Sequence, residues 1–323
     1  IEALSQIEGA YALVTLTNNM LIGVRDPFGI RPLVLGQLDG NYILASETCA
    51  FDIIGATFLR EVENGEVIII TDEGIESIKP FQKVTPRPCI FEYIYFSRPD
   101  SYLGGLSIYE CRKSFGQQLA KESPVDADYV IPVPDSGVPS AIGFAEVSKI
   151  PFELGIIRNH YVGRTFIEPQ QAIRAFSVKL KHNVNKALVK GKKIVLVDDS
   201  IVRGTTSTKI IEMLREAGAT EVHMRITSPP IKYPDFYGID TPIQEQLLSA
   251  NYSLAEICDF LHADSISFLS IDGLYKAMGH PAGRDPNDPV FTDHCFTGDY
   301  PTKLLDRESK EEFSQLSLLS NLE

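Results

Sequence analysis

Two adjacent carboxylates, Asp198 and Asp199, close the apolar run Ile194-Val195-Leu196-Val197 and are followed by Arg203-Gly204-Thr205-Thr206-Ser207. A continuous apolar run bounded by turn residues is the pattern of a strand buried on both faces, as in a parallel sheet. Helical spacing opens at Thr206, so the Gly/Thr/Ser turn falls at a helix N-terminus. Unpaired N–H groups and the helix dipole favour an anion there. Gly204 lets the backbone approach such an anion closely. An ordinary N-cap needs one hydroxyl; Thr205, Thr206 and Ser207 in succession exceed that need. The chemistry expected is a phosphate held in the loop, with both acids facing the sugar that carries it. A nucleoside-triphosphate P-loop is excluded, because it requires Gly-x4-Gly-Lys-Ser/Thr and no such run occurs.

Positioning these residues needs a parallel sheet, and the sequence from about residue 90 supplies its pattern. Helical spacing predicts helices over 109–122, 139–149 and 206–217, the last closed by Gly218. Strands are predicted over 127–133, 192–197 and 221–227. Alternating strands and helices place ligands beyond the strand carboxyl ends. Residues 1 to about 80 read differently, as short strands joined by tight turns at Asn18-Asn19, Asp39-Gly40 and Asp72-Glu73-Gly74, with a short helix within 47–55. The first strands are expected to lack partners within the chain. Pro80, Pro86 and Pro88 mark a linker, with a boundary near residue 85. The stretch after about residue 303 is rich in Ser, Glu and Leu and reads as a weak helix or a disordered tail.

The 323 residues suggest about two domains, and a net charge of −13 argues against a nucleic-acid surface. No run is apolar and long enough to span a bilayer, and the first residues lack a signal-peptide layout. The five cysteines are scattered without a CxxC pair, which favours a reducing, cytoplasmic setting over a disulfide framework or a structural zinc site. The chain begins at Ile1, so a segment upstream of it is expected.

The run Val197 to Ser207 resembles the phosphoribosyl-diphosphate fingerprint of type I phosphoribosyltransferases. Four further segments narrow the resemblance to the amidophosphoribosyltransferase family. These are Cys89 to Ser101, Tyr161 to Ile167, Arg25-Asp26-Pro27-Phe28-Gly29-Ile30-Arg31-Pro32-Leu33, and Ser46 to Asp52. The resemblance is collinear from about residue 9 to about residue 302. It implies residues 1–85 as the later part of an N-terminal-nucleophile (Ntn) glutaminase α+β sandwich. It implies residues 86–302 as an α/β type I phosphoribosyltransferase domain, with 303–323 as a tail. The implied reaction is glutamine-dependent transfer of ammonia to phosphoribosyl diphosphate, giving phosphoribosylamine and pyrophosphate at the start of purine synthesis.

By the same resemblance, Asp198 and Asp199 hold the ribose and stabilise charge at the anomeric carbon. Arg203, Gly204, Thr205, Thr206 and Ser207 hold the 5′-phosphate. Asp135, Ser136 and Gly137 match the pyrophosphate loop, and Ser136 joins Asp198 and Asp199 around Mg²⁺. Residues from about Arg158 to Arg174 match the family's mobile loop, with Arg158 and Arg164 as pyrophosphate contacts. Purine nucleotides are implied as feedback inhibitors, and a homodimer or homotetramer as the assembly.

Two departures from the family are visible. Its glutaminase nucleophile is an N-terminal cysteine, whereas residue 1 is Ile, and Cys49, Cys89 and Cys111 occupy mid-chain positions; these 323 residues alone are expected to use free ammonia only. Some members hold an iron–sulfur cluster on four cysteines. Here Cys89 and Cys295 match, while Asp235 and Thr292 stand at the other two positions, so no cluster is expected. Two other readings compete. A salvage transferase has no use for the glutaminase layer. A nucleotide-sensing regulator of reduced activity is expected to have lost an acid of the pair or the pyrophosphate loop, and both are present.

Overall fold

The computed structural model describes residues 1–159, 182–239, 241 and 243–304. The N-terminal part carries two antiparallel sheets. Strands β1 (Ala12–Leu16), β2 (Leu21–Arg25), β6 (Val67–Thr71) and β7 (Gly74–Ile78) form one, in the order β1-β2-β6-β7. Strands β3 (Val34–Leu38), β4 (Asn41–Ala45) and β5 (Thr57–Glu61) form the other, in the order β4-β3-β5. Leu33, Leu35, Val62, Ile68 and Ile70 make a core shared by the two. All three anticipated turns fall where expected, and helix α1 (Cys49–Ile54) stops at Gly55 in the left-handed region. β1 stands at a sheet edge and is exposed along most of its length, consistent with the expectation that the first strands are short of partners. β5 has no anticipated counterpart; it pairs with β3 across a register shift between Leu35 and Gly36.

After residues 79–88, which form no regular element, the chain makes a π-helical turn (Glu92–Phe96), a small hairpin of β8 (Tyr102–Leu103) and β9 (Leu106–Ser107), and helix α2 (Ile108–Glu122). The central sheet is parallel throughout: β10 (Tyr129–Pro132), β13 (Lys193–Asp198), β14 (Glu221–Ile226) and β15 (Ser265–Phe268), in that order. The apolar run of β13 is explained by helices on both faces. Val195 and Val197 pack with helix α2 and helix α3 (Val138–Ser148), whereas Ile194 and Leu196 pack with the helices Thr205–Glu216 and Leu254–Leu261. This is an open parallel α/β sheet flanked by helices, preceded by an antiparallel two-sheet unit.

Two features of this layout build the site. After β10 the chain passes through α3 and bridges Val130 on one side of the strand with Phe152; it later returns as β13 on the other side. The order of strands therefore reverses between β10 and β13, and ligands of open α/β sheets bind at the carboxyl ends flanking such a point. Between them β11 (Ile156–Arg158) and β12 (His182–Val184) pair antiparallel outside the sheet. In addition, α2 and α3 meet backbone to backbone. A Cβ on Gly116 would lie 1.8 Å from the Ser140 carbonyl oxygen, and one on Gly143 would lie 1.9 Å from that of Lys113. Helices near residues 254–261 and 271–277, and strand β15, carried no prior expectation.

Candidate active site

β13 delivers Asp198 and Asp199 to the switch point, where they are 7% and 4% exposed. The strand end is tied to β14, because Thr227 donates its N–H to the Asp198 carbonyl at 3.0 Å. The Asp199 N–H donates to the Asp198 carboxylate at 2.9 Å, and the Ser200 hydroxyl donates to the Asp199 carboxylate at 2.6 Å. Burial pushes the Asp198 carboxyl well above its ordinary value, and the adjacent Asp199 adds to the rise. Burial raises Asp199 as well, opposed by hydrogen bonds from Ser136 and Ser200 and by the charge of Arg112. Two buried carboxylates side by side with hydroxyls at one of them form a hard oxygen donor set, which fits a divalent cation such as Mg²⁺.

The turn that follows ends in the helix Thr205–Glu216. Gly204 is its N-cap at φ 77°, and no side chain caps the helix. Its first N–H groups are therefore left for an anion. Thr205 and Thr206 are exposed, while Ser207 is buried. Both motifs open on one cavity of about 550 Å³, lined by Ser136, Asp198, Asp199 and residues 200–207, with a wall of Phe91, Tyr95, Phe96, Ile239 and Thr241.

The loop after β10 contributes unequally. Val133 donates its N–H to the Val197 carbonyl, which fixes the loop beside the acid pair. Ser136 lines the cavity; Asp135, Gly137 and Arg158 do not. Gly137 packs so tightly that a Cβ there would lie 2.6 Å from the Val197 oxygen. The Asp135 carboxylate is engaged by the Arg158 guanidinium from β11, which joins two of the expected pyrophosphate groups to each other. Arg203 reaches the cavity edge, with its Nε donating to Gln246 at 3.2 Å. Arg164 lies outside the described residues, as do most of residues 158–174 and the stretch from 305 onward.

Against known proteins, a family model described as phosphoribosyl transferase domain matches residues 108–227, and one described as glutamine amidotransferase domain matches residues 1–52. The chain is 59% identical to the amidophosphoribosyltransferase of Rhizobium etli over 99% of its length, and 51% identical to that of Bacillus subtilis over 94%. The solved B. subtilis glutamine phosphoribosylpyrophosphate amidotransferase, complexed with ADP and GMP, superposes with a TM-score of 0.86 at 51% identity, covering 94% of this chain and 66% of that one. The chain belongs to the amidophosphoribosyltransferase family. It spans 66% of the R. etli relative and 63% of the B. subtilis one.

For an amidophosphoribosyltransferase the four positions of the cluster question are informative. Cys89 and Thr292 meet in a parallel bridge, and Cys89 and Asp235 both lie close to Cys295. Burial pushes the Cys89 thiol up to about 12 and holds Cys295 well above the ordinary thiol range. Asp235 faces His294, with its Oδ2 2.8 Å from Nε2 and both side chains 1% exposed. The rings of Tyr237 and Tyr300 each stand 4.9 Å from the imidazole. Two thiols with a threonine and a carboxylate committed to a histidine do not make the four-thiolate donor set of an iron–sulfur cluster.

Arg112 escaped the sequence reading. It is 2% exposed on the apolar stripe Ile108, Phe115, Leu119 of α2. A charged residue at a core position of a helical repeat was the available signal. In the sequence, residues 91–96 carry only family likeness, and nothing in their pattern points to an aromatic wall.

Proposed function

We propose that this chain carries the phosphoribosyl-transfer site of an amidophosphoribosyltransferase. It transfers ammonia to 5-phosphoribosyl 1-diphosphate, giving 5-phosphoribosylamine and pyrophosphate, the first committed step of purine nucleotide synthesis. The observation that carries the reading is the single cavity onto which the acid pair, the uncapped helix N-terminus and Ser136 all open.

In this reading residues 203–207 take the 5′-phosphate, with the Thr205, Thr206 and Ser207 N–H groups and hydroxyls as donors. Ser136 and the backbone of Asp135 and Gly137 face the pyrophosphate, and Arg158 approaches it from outside the cavity wall; Arg164 is carried as a pyrophosphate contact by the resemblance alone. Asp198 and Asp199 lie under the ribose. As the bond from the anomeric carbon to the pyrophosphate oxygen breaks, positive charge grows on the sugar, and fixed carboxylates stabilise it more than they stabilise the ground state. Ammonia forms the new carbon–nitrogen bond, loses a proton to solvent, and pyrophosphate leaves with the bonding pair. Asp198, Asp199 and Ser136 are the residues that would hold Mg²⁺, which when bound offsets the charge of the leaving group. The wall of Phe91, Tyr95 and Phe96 packs against the bound phosphoribosyl group and excludes water, the competing nucleophile.

The remaining readings follow from family membership. Residues 1–85 belong to the glutaminase portion that supplies ammonia in the whole protein, and 86–302 to the transferase. Purine nucleotides inhibit at or beside the phosphoribosyl cavity; that the B. subtilis enzyme is complexed with ADP and GMP supports nucleotides as ligands. The assembly is a homodimer or homotetramer of cytoplasmic protein. The test is pyrophosphate release from phosphoribosyl diphosphate with Mg²⁺ and ammonium. Release that depends on ammonium supports the reading; release that requires a purine base instead, or binding without turnover, rejects it.

A further inference from the structure

The aromatic wall of the cavity is not held by apolar packing alone. Tyr95 and Phe96 are 52% and 49% exposed, and they sit on the π-helical turn Glu92–Phe96. Two guanidinium groups, one buried and one largely so, grip that turn. From α2, Arg112 donates Nε to the Tyr93 carbonyl at 3.0 Å and Nη2 to the Ser97 carbonyl at 2.6 Å. From the N-terminal sandwich, Arg31, whose side chain is 11% exposed, pairs with the Glu92 carboxylate at 2.8 Å. Its Nε also donates to the Tyr237 carbonyl at 2.7 Å, and its guanidinium lies 5.1 Å from the Phe96 ring centre. The second oxygen of Glu92 accepts from the Ser97 hydroxyl at 2.5 Å, which joins the two grips.

The same network runs on to the acid pair. The Arg112 carbonyl accepts from the Ser140 hydroxyl at 3.0 Å, and Thr227 Oγ1 stands 3.3 Å from both Ser140 Oγ and the Asp198 carbonyl oxygen. Arg112, Glu92, Ser97, Ser140 and Thr227 are each 2% exposed or less. Burying two guanidinium groups is costly, and apolar residues of similar volume would pack the turn at least as stably. What the arginines add is direction, because each fixes a backbone or carboxylate atom through a planar, multi-donor head.

We propose that Arg31 and Arg112 are positioning residues that clamp the Glu92–Ser97 turn, so that the N-terminal sandwich sets where the aromatic wall stands relative to Asp198 and Asp199. The proposal rests on the cavity being the phosphoribosyl-diphosphate site. Arg31 belongs to the Arg25–Leu33 motif and has no contact with the cavity itself; it acts through Glu92, Phe96 and the Tyr237 carbonyl.

The test compares wild type, Arg31→Lys, Arg31→Met, Arg112→Lys and the Arg31→Met/Arg112→Lys double variant. Ammonium-dependent kinetics and hydrogen exchange over residues 89–101 are measured on the same proteins. Arg31→Met is expected to raise KM for phosphoribosyl diphosphate about tenfold while kcat stays within about threefold, the signature of a lost ground-state contact. Exchange over 91–97 is expected to quicken, and Arg31→Lys to restore part of both effects. Because both arginines hold one turn, the double variant is expected to lose less than the product of the two single losses. Unchanged KM and unchanged exchange in Arg31→Met overturn the clamp, as does a strictly multiplicative double variant. Should Arg112→Lys fail to fold, the two Arg31 variants decide alone. If wild type releases no pyrophosphate, the functional reading fails, and the exchange data still decide the clamp.

Discussion

The backbone N–H of Asp199 donates to the side chain of Asp198 at 2.9 Å, so one acid of the pair is turned toward the main chain while its neighbour is met by the hydroxyls of Ser200 and Ser136. The two carboxylates are thus unequal. Asp199→Asn is expected to lower kcat by about 10²–10³, the scale of losing one transition-state electrostatic group, with a far smaller change in KM for phosphoribosyl diphosphate. Steady-state kinetics at saturating ammonium measure this. Equal losses in kcat and in affinity would contradict the role.

The 5′-phosphate reading of the helix N-terminus makes a different demand. Thr205→Val and Thr206→Val each remove one hydroxyl from a charged ligand and leave the N–H groups in place. Each is expected to raise KM about tenfold with kcat nearly unchanged. A fall in kcat at constant KM would show that these hydroxyls serve the reaction step and not the anchoring of substrate.

Gly204 caps that helix at φ 77°, and an added Cβ would sit 2.8 Å from Leu248 Cδ2. Gly204→Ala combines left-handed strain with this contact and is expected to cost about 1–2 kcal/mol of stability. Thermal unfolding reads the loss, and substrate protection against unfolding should weaken in the same variant.

Asp235 supplies a pH dependence. Burial alone would raise its carboxyl, but hydrogen bonds and charge from His294, with the Ile239 and Tyr237 N–H groups, prevail and hold it below the ordinary value. A group depressed on folding contributes stability that is complete above its unfolded value and is lost as pH falls through the folded one. Wild type should therefore lose this contribution only in strong acid, below about pH 4. Asp235→Asn should flatten that limb of the stability profile and, by weakening the buried contact to His294, destabilise by about 1–2 kcal/mol. Urea unfolding at a series of pH values tests both.

The parallel strand, the acid pair and the phosphate turn were legible because each rests on local pattern: an apolar run, a reversal to polar residues, a glycine before hydroxyls. The three tight turns of the N-terminal sandwich were legible for the same reason. β5 was not, since Thr57–Glu61 has little alternation and becomes a strand only by pairing with β3. The role of Arg112 was also hidden. Its position on the stripe Ile108, Phe115, Leu119 is visible, but the carbonyls it holds come from residues 93 and 97, which only the tertiary fold brings to it. Likewise Asp135 and Arg158 were each expected near pyrophosphate, and only the register of β11 against β12 outside the sheet shows them bound to one another.

Gly116 and Gly143 leave α2 and α3 separated by nothing but main chain. α3 begins at the loop that carries Ser136, and α2 carries the arginine that holds the aromatic wall. The spacing between those two parts of the cavity is thus set by the thickness of the polypeptide itself, a ruler that side-chain substitution elsewhere cannot lengthen. A methyl group on either glycine would push the two helices apart and with them the two sides of the cleft.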